Sequence, residues 1–116
     1  MVHDLSTFFR ALADRKRLRM LEYLAQHEHV PVSDLGLALR MSQPLISWHL
    51  RILRRAGLVK TRRSGRQVLC SLNRAAIVSY QRRLDQSLSL QVLPAVEEEP
   101  VAGASRAATS ALSKGA

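Results

Sequence analysis

The chain has 116 residues, a length typical of one domain, and a formal net charge of +9 with an isoelectric point of about 11.3. This charge predicts a polyanionic partner, with nucleic acid expected before an anionic membrane surface. The sequence lacks a long apolar run, a signal-peptide pattern and a second cysteine, so a cytoplasmic protein that does not enter the membrane is expected. It also lacks a glycine-rich phosphate loop and a nucleophile with a matching base, so an enzyme is not expected.

Two amphipathic helices are predicted at the start of the chain. The first covers residues 5–12, where leucines and phenylalanines recur at helical spacing. Asp14 is the expected N-cap of the second, which runs from Arg15 to about Gln26. Its predicted apolar positions are Leu18, Leu21, Leu24 and Ala25.

A short extended connection and a third helix are predicted next. Val30 and Pro31 interrupt the helical pattern. Ser33 is expected to cap a short helix that ends before a turn at Arg40 and Met41. Its predicted apolar side consists of Leu35, Ala38 and Leu39.

The helix most informative for function is predicted between Ser42 and Ala56. Ser42 is a favourable N-cap, Pro44 is tolerated in a first helical turn, and Gly57 is a typical residue after a helix end. On a helical wheel, Ile46, Leu50 and Leu53 lie on one side, which is expected to face the domain. The opposite face and its flank expose Gln43, Ser47, Trp48, Arg51, Arg54 and Arg55.

These exposed groups suit contact with double-stranded DNA. A helix fits the major groove, where arginine can bond guanine and glutamine can bond adenine, and the N-terminal part of such a helix usually contacts the bases. Base contacts are expected from Ser42, Gln43, Ser47 and Trp48, and phosphate contacts from Arg51, Arg54 and Arg55. The alternative is a solvated basic helix face, but the short helix and turn that precede it complete a helix-turn-helix spacing.

A basic β-hairpin is predicted directly after this helix. Its strands are residues 58–62 and 67–72, joined around residues 63–66. The hairpin carries Lys60, Arg62, Arg63 and Arg66. Like charges this close repel one another unless an anion is bound, which favours a wing that lies on DNA. The alternative is an edge strand protected from aggregation by its charge.

The final helix is predicted from about Asn73 to Val92, with Pro94 as its stop. Its apolar stripe consists of Ile77, Tyr80, Leu84 and Leu88. The predicted domain is residues 1–93, and residues 94–116 are predicted to form a disordered tail because they lack bulky apolar periodicity. The predicted fold is mainly α with a small β-hairpin, a winged helix-turn-helix in the order α1-α2-(β1)-α3-α4-β2-β3-α5.

Three segments, Leu12–Leu21, Ser42–Leu50 and Gly57–Arg66, resemble the ArsR/SmtB family of bacterial winged-helix repressors. The resemblance implies a homodimer that joins its first and last helices and binds an imperfect palindrome in a promoter. The apolar surface of those two helices also exceeds what a helix-turn-helix core needs, although pairing of the helices within one chain is the alternative. The predicted interface residues are Leu5, Phe8, Phe9, Leu12, Tyr80, Leu84 and Leu88.

The metal sites that the resemblance implies are absent in their usual form. The thiol-type site needs cysteines where this chain has Pro31 and Ser33. The site on the last helix needs histidines and carboxylates, but residues 74–93 contain no histidine and one acid, Asp85. The candidate ligands that remain for zinc or nickel are His3, His27 and His29, and the alternative is that they are surface histidines without a ligand. His49 is expected to pack beside the core and Cys70 to be a small buried hydrophobe.

The sequence therefore predicts a DNA-binding transcriptional regulator, a repressor of the ArsR/SmtB type, with Ni(II) or Zn(II) as candidate signals. One alternative is a regulator that responds to another signal or to a partner protein bound through the glutamate-rich tail. Another is a nucleic-acid-binding protein without sequence preference. An RNA-binding sheet is not favoured, because aromatic residues make up only 4% of the chain.

Overall fold

The computed structural model describes residues 4–90, which form five α-helices and a three-stranded antiparallel sheet. The helices are α1 (Leu5–Leu12), α2 (Arg15–Gln26), α3 (Val32–Leu39), α4 (Gln43–Arg55) and α5 (Arg74–Ser87). The strands are β1 (Val30–Pro31), β2 (Val59–Ser64) and β3 (Gln67–Leu72). The predicted element order is confirmed, whereas the predicted tail and the boundary at residue 93 lie outside the described residues.

Aspartate side chains begin the first two helices. Asp4 accepts a hydrogen bond from the Thr7 N–H (2.8 Å), and Asp14 accepts one from the Arg17 N–H (3.0 Å). Each bond satisfies a backbone donor that has no partner within its helix. The Thr7 N–H and the Ser6 hydroxyl also lower the pKa of Asp4 to about 2. Both helices have the bounds that the sequence predicts.

The inward face of α2 differs from the predicted one. Leu21 and Leu24 are buried as expected, but Leu18 is 41% exposed and Ala25 is also exposed. Met20 and the charged Arg17 are buried in addition. The buried face is therefore rotated from the predicted stripe, because a guanidinium with internal hydrogen-bond partners occupies part of it.

Helix α3 begins at Val32, so the prediction that Ser33 caps it was wrong. The chain enters the helix directly from strand β1, so Pro31 occupies the N-cap position, and its side chain has no polar atom that could cap the helix. The helix ends at Leu39, and its C-cap residue Arg40 has a left-handed φ of 55°. A Cβ atom at Gly36 would lie 3.2 Å from the Met41 carbonyl oxygen, so glycine permits the close turn from α3 to α4.

The sheet has the strand order β1-β3-β2. Val30 in β1 pairs with Cys70, and Ser64 in β2 pairs with Gln67. The hairpin turn therefore has two residues, Gly65 and Arg66, and is shorter than predicted. Gly65 has a φ of 61°, which glycine adopts at little cost.

Helix α5 ends at Ser87, five positions before the predicted Val92. Ser89 adopts a left-handed φ of 53°, and its N–H bonds the Gln86 carbonyl at 3.2 Å. The Leu90 N–H bonds the Asp85 carbonyl at 2.8 Å. These two bonds form a Schellman motif, which satisfies the last helical carbonyls and stops the helix.

One hydrophobic core joins all five helices and the sheet. The most deeply buried side chains are Met20, Leu24, Leu35, Ile46, Leu53, Leu58 and Cys70. Burial of Cys70 agrees with its predicted role as a small hydrophobe. Within residues 4–90, no helix combines the length and the hydropathy that a membrane crossing requires.

Candidate nucleic-acid interface

Helix α4 presents one apolar and one polar face, as the wheel predicts. Ile46, Leu50 and Leu53 are at most 5% exposed and fix the helix on the core. The predicted DNA-contacting residues of this helix are all exposed: Ser42, Gln43, Ser47, Trp48, Arg51, Arg54 and Arg55. Ser42 caps the helix by accepting a hydrogen bond from the Leu45 N–H at 3.4 Å. The exposed polar residues therefore belong to a helix whose other face is firmly packed on the core.

Trp48 is the large apolar side chain on this exposed face, with 54% of its surface accessible. The Arg51 guanidinium carbon lies 6.0 Å from the centre of the indole ring, at the outer limit of a cation–π contact. The pair combines an apolar surface that can contact a thymine methyl group with a guanidinium that can bond guanine.

A cleft of about 490 Å³ lies between α4 and the β-hairpin. Its polar lining includes Gln43, Ser47, Arg51, Arg54, Arg66 and Gln67. Leu50 and Val68 contribute apolar surface. The structure thus brings four predicted residues of α4 and the arginine at the hairpin turn to one concave surface.

The other predicted basic residues of the hairpin are exposed but do not line this cleft. Lys60 and Arg62 alternate with the cleft residue Thr61, so they lie on the other face of β2. Arg63 is on the same face as Thr61, nearer the turn. Ser42, Trp48 and Arg55 also lie outside the cleft.

The electrostatics of this surface favour an anion. Residues 35–84 contain eleven arginines or lysines and no aspartate or glutamate. Within the described part of the chain, no carboxylate forms a salt bridge with Arg51, Arg54 or Arg66. Their charge is therefore available to phosphate groups, which arginine binds through two parallel hydrogen bonds.

Behind the exposed face, His49 of α4 is buried and hydrogen-bonded to Arg17 of α2. The Arg17 Nη1 atom lies 3.2 Å from His49 Nδ1. The expectation that His49 packs beside the core is confirmed. The sequence pattern did not predict the burial of Arg17, although Arg17 and His49 lie in two of the segments that carry the family resemblance, 12–21 and 42–50.

The candidate metal ligands do not form a site in the described protomer. His27 and His29 are exposed, and the His27 ring stacks on Tyr23 at 4.1 Å. His27 Nδ1 donates a hydrogen bond to the Tyr23 carbonyl at 2.8 Å, which occupies one of its two nitrogen atoms. No group of three or more potential ligands occurs within residues 4–90, and His3 lies outside them.

The predicted dimer-interface residues fall into two groups. Phe8 and Tyr80 are buried in the protomer, where their rings stack at 4.4 Å, so they have little surface left for a partner. Leu5, Leu12 and Leu84 are half-buried, whereas Phe9 and Leu88 are exposed. Pairing of the terminal helices within one chain, the alternative considered for the sequence, therefore accounts for part of the apolar surplus. The exposed apolar side chains of the terminal helices are Phe9 and Val78, followed by Leu88 and Leu90 just after α5.

The family model for "Bacterial regulatory protein, arsR family" matches residues 14–61. A transcriptional repressor SmtB homolog of Synechocystis sp. is 42% identical over 85 residues, which is 73% of this chain and 64% of the relative. The chain thus spans less than two thirds of the length of this relative.

Two solved structures extend the comparison. Reduced HlyU from Vibrio cholerae has a TM-score of 0.57 and 31% identity over 74% of this chain and 88% of its own. The homodimeric winged helix-turn-helix DNA-binding domain of Mb0332 from Mycobacterium bovis has a TM-score of 0.59 and 26% identity over 76% of this chain and 84% of its own. The predicted winged helix-turn-helix fold is confirmed. The chain belongs to the arsR family of bacterial regulatory proteins.

Proposed function

We propose that this chain is a transcriptional repressor that recognises a specific DNA sequence with helix α4 and the β-hairpin. The observation that carries the proposal is the shared cleft, where Gln43, Ser47, Arg51 and Arg54 of α4 lie opposite Arg66 of the hairpin turn. A helix in the major groove and a wing on the adjacent backbone would use both walls of this cleft. Membership of a family of regulatory proteins supports this function over an enzymatic one.

We further propose that the active form is a homodimer on an imperfect palindrome. The Mycobacterium bovis domain is homodimeric, and the present chain exposes Phe9 on α1 and Leu88 at the C-cap of α5. In such a dimer the two copies of α4 would enter major grooves about one helical turn apart, roughly 34 Å. A regulator of this kind would act in the cytoplasm, where its DNA is.

The described residues do not fit a metal site within one protomer. Pro31 lies in β1 and Ser33 in α3, and neither offers a thiolate. The exposed His27 and His29 have no third ligand within residues 4–90. We therefore treat nickel or zinc control as a hypothesis that needs ligands from outside this region or from a second chain. A signal other than a metal is the competing proposal.

A fluorescence-anisotropy titration tests the proposed function. The full chain is titrated with a labelled duplex from the promoter that precedes its own gene and with a scrambled duplex, each at several salt concentrations. Sequence-specific recognition predicts at least about 1000-fold tighter binding to the promoter duplex. Equal affinity for both duplexes, with a steep salt dependence, would instead show a nucleic-acid-binding protein without sequence preference.

The same titration with Ni(II), Zn(II) or a chelator tests the metal hypothesis. A change of about tenfold in specific affinity, about 1.4 kcal/mol of coupling, would identify a metal sensor. His27→Ala and His29→Ala would then be compared with the parent chain. Unchanged affinity with every metal would direct the search to another signal.

A further inference from the structure

The buried side chain of Arg17 connects three helices. Its Nε donates to the Ala11 carbonyl at 2.7 Å, and its Nη2 donates to the Arg10 carbonyl at 3.2 Å, both at the end of α1. Its Nη1 faces His49 of α4 at 3.2 Å and lies 3.9 Å from the Asp14 carboxylate. Arg17 thus binds the end of α1, the start of its own helix and the middle of the DNA-recognition helix.

The contact with Arg17 determines which nitrogen atom of the His49 imidazole carries the proton. Arginine can only donate, so His49 Nδ1 must accept and its proton must reside on Nε2. Within residues 4–90, Nε2 is buried without a hydrogen-bond partner, which costs free energy. An aliphatic side chain at this position would avoid that cost, so packing alone does not explain a histidine here.

The hydrogen bond also has a direction that the surrounding core contacts lack. Ile46, Leu50 and Leu53 fix α4 on the core through apolar contacts, which have no preferred direction of their own. A hydrogen bond weakens steeply when its angle changes. Trp48 precedes His49 on the same helix. A bond that fixes the rotation of α4 about its axis therefore also fixes the direction in which Trp48 and the rest of the exposed face point.

We propose that the Arg17–His49 hydrogen bond positions helix α4 for sequence recognition, and that His49 is a positioning residue that does not itself contact DNA. This inference rests on the proposed function. Because Arg17 also binds the end of α1, which carries the exposed Phe9, the bond relates the recognition helix to the proposed dimer surface. In a dimer it would therefore help to set the separation of the two recognition helices.

The bond requires a neutral imidazole, so acid should release it. Protonation of Nδ1 would place two donors and two positive charges against each other. The charged groups that face His49 are Asp14, Arg17 and Lys16. Burial is the main cause that lowers the pKa of His49. The carboxylate of Asp14 raises this pKa, and the positive charges of Arg17 and Lys16 lower it further. The bond is therefore formed at neutral pH and is lost as the pH falls through this lowered pKa.

Two substitutions of His49 and one control test the proposal. His49→Asn keeps an acceptor near Nδ1 but cannot titrate, whereas His49→Ala removes the acceptor. His29→Asn changes an exposed histidine and serves as the control, with a chelator present in every titration so that no metal acts through this candidate ligand. Binding of the promoter duplex and of a scrambled duplex is measured for each full-length variant in steps from about pH 7.5 down to about pH 4.5, together with thermal unfolding at each step to verify the folded state.

At the highest pH, His49→Ala should bind the promoter duplex about tenfold more weakly and the scrambled duplex as the parent does. His49→Asn should retain the parent affinity within about twofold. On acidification, the parent and His29→Asn should lose specific affinity, whereas His49→Asn should not. Added positive charge on the protein strengthens binding to DNA, so a loss of affinity in the parent on acidification has the opposite sign from a simple charge effect.

The proposal is overturned if His49→Ala discriminates between the duplexes as the parent does, or if His49→Asn and the parent share one pH profile. The comparison of His49→Asn with the parent decides the question even if His49→Ala fails to fold. A parent chain that binds both duplexes equally would instead remove the proposed function, and this inference with it.

Discussion

Arg51 is the side chain whose surroundings best suit guanine recognition. It is exposed, lines the cleft and lies beside the Trp48 ring. We expect Arg51→Ala to weaken binding of the specific duplex by about 1–3 kcal/mol and to relax the preference at one base pair. Arg82→Ala, which removes an equal charge from the exposed surface of α5, controls for the loss of net charge. An equal loss on every duplex would assign Arg51 to a phosphate contact.

The reactivity of the Cys70 thiol measures how well the core excludes solvent. It is fully buried, and burial raises the pKa of its thiol to about 11, although the nearby Arg54 lowers it slightly. Because the thiolate is the reactive form, we expect the native thiol at about pH 8 to react with a disulfide reagent at least about 100-fold more slowly than the urea-unfolded chain. The native rate should rise as the pH approaches 11. A fast native reaction at neutral pH would make Cys70 a candidate redox sensor.

Individual residues differ in how far the sequence alone reveals their roles. Ile46, Leu50 and Leu53 could be placed on the inward face because a capped helix gives each position a definite angle. Arg17 could not be placed, because it follows Arg15 and Lys16 in a run that resembles a solvated helix surface. Its burial depends on carbonyls at the end of α1 and on a histidine 32 positions away.

The junction between the hairpin and α5 depends on Asn73. Its side chain caps α5 by accepting from the Ala76 N–H at 3.2 Å, and its amide nitrogen donates to the Gly57 carbonyl at 3.0 Å. We expect Asn73→Ala to lower the free energy of unfolding by about 1–2 kcal/mol, because both bonds are lost. Urea unfolding at a fixed protein concentration measures this change.

Ser79→Ala is the matched control for Asn73→Ala, since Ser79 is an exposed polar residue of the same helix. It should change the unfolding midpoint little. An equal midpoint shift in the two variants would show that the Asn73 bonds do not stabilise the junction.

The ends of the elements were harder to predict than their interiors. The sequence placed the end of α5 near Pro94, whereas a Schellman motif with Ser89 in a left-handed conformation ends it at Ser87. Glycine is the usual residue at that position, and serine gives no comparable signal. The start of α3 was missed because Pro31 enters the helix from a strand whose pairing with β3 is a long-range contact.

At the scale of the whole molecule, the candidate DNA surface and most of the exposed apolar side chains lie on different elements, with Trp48 of α4 as an exception. The former consists of α4 and the hairpin, whereas many of the latter lie on α1 and α5 or just after α5, and these two helices pack together through Phe8 and Tyr80. A dimer formed through α1 and α5 would therefore leave the cleft accessible. The resemblance gave the dimer as an expectation, but it could not show that Phe8 and Tyr80 are buried within the protomer.

Phe9 is the best position at which to test the dimer, because its side chain is 42% exposed and is not required to fill the protomer core. In a dimer, Phe9→Glu would bury a charge without a partner, which costs about 3–5 kcal/mol. We expect sedimentation at micromolar concentration to show a folded monomer that binds the palindromic duplex more weakly. Leu37→Glu, at an apolar position of α3 that is 80% exposed, should remain dimeric. If both Phe9→Glu and Leu88→Glu sediment as dimers, α1 and α5 do not form the interface.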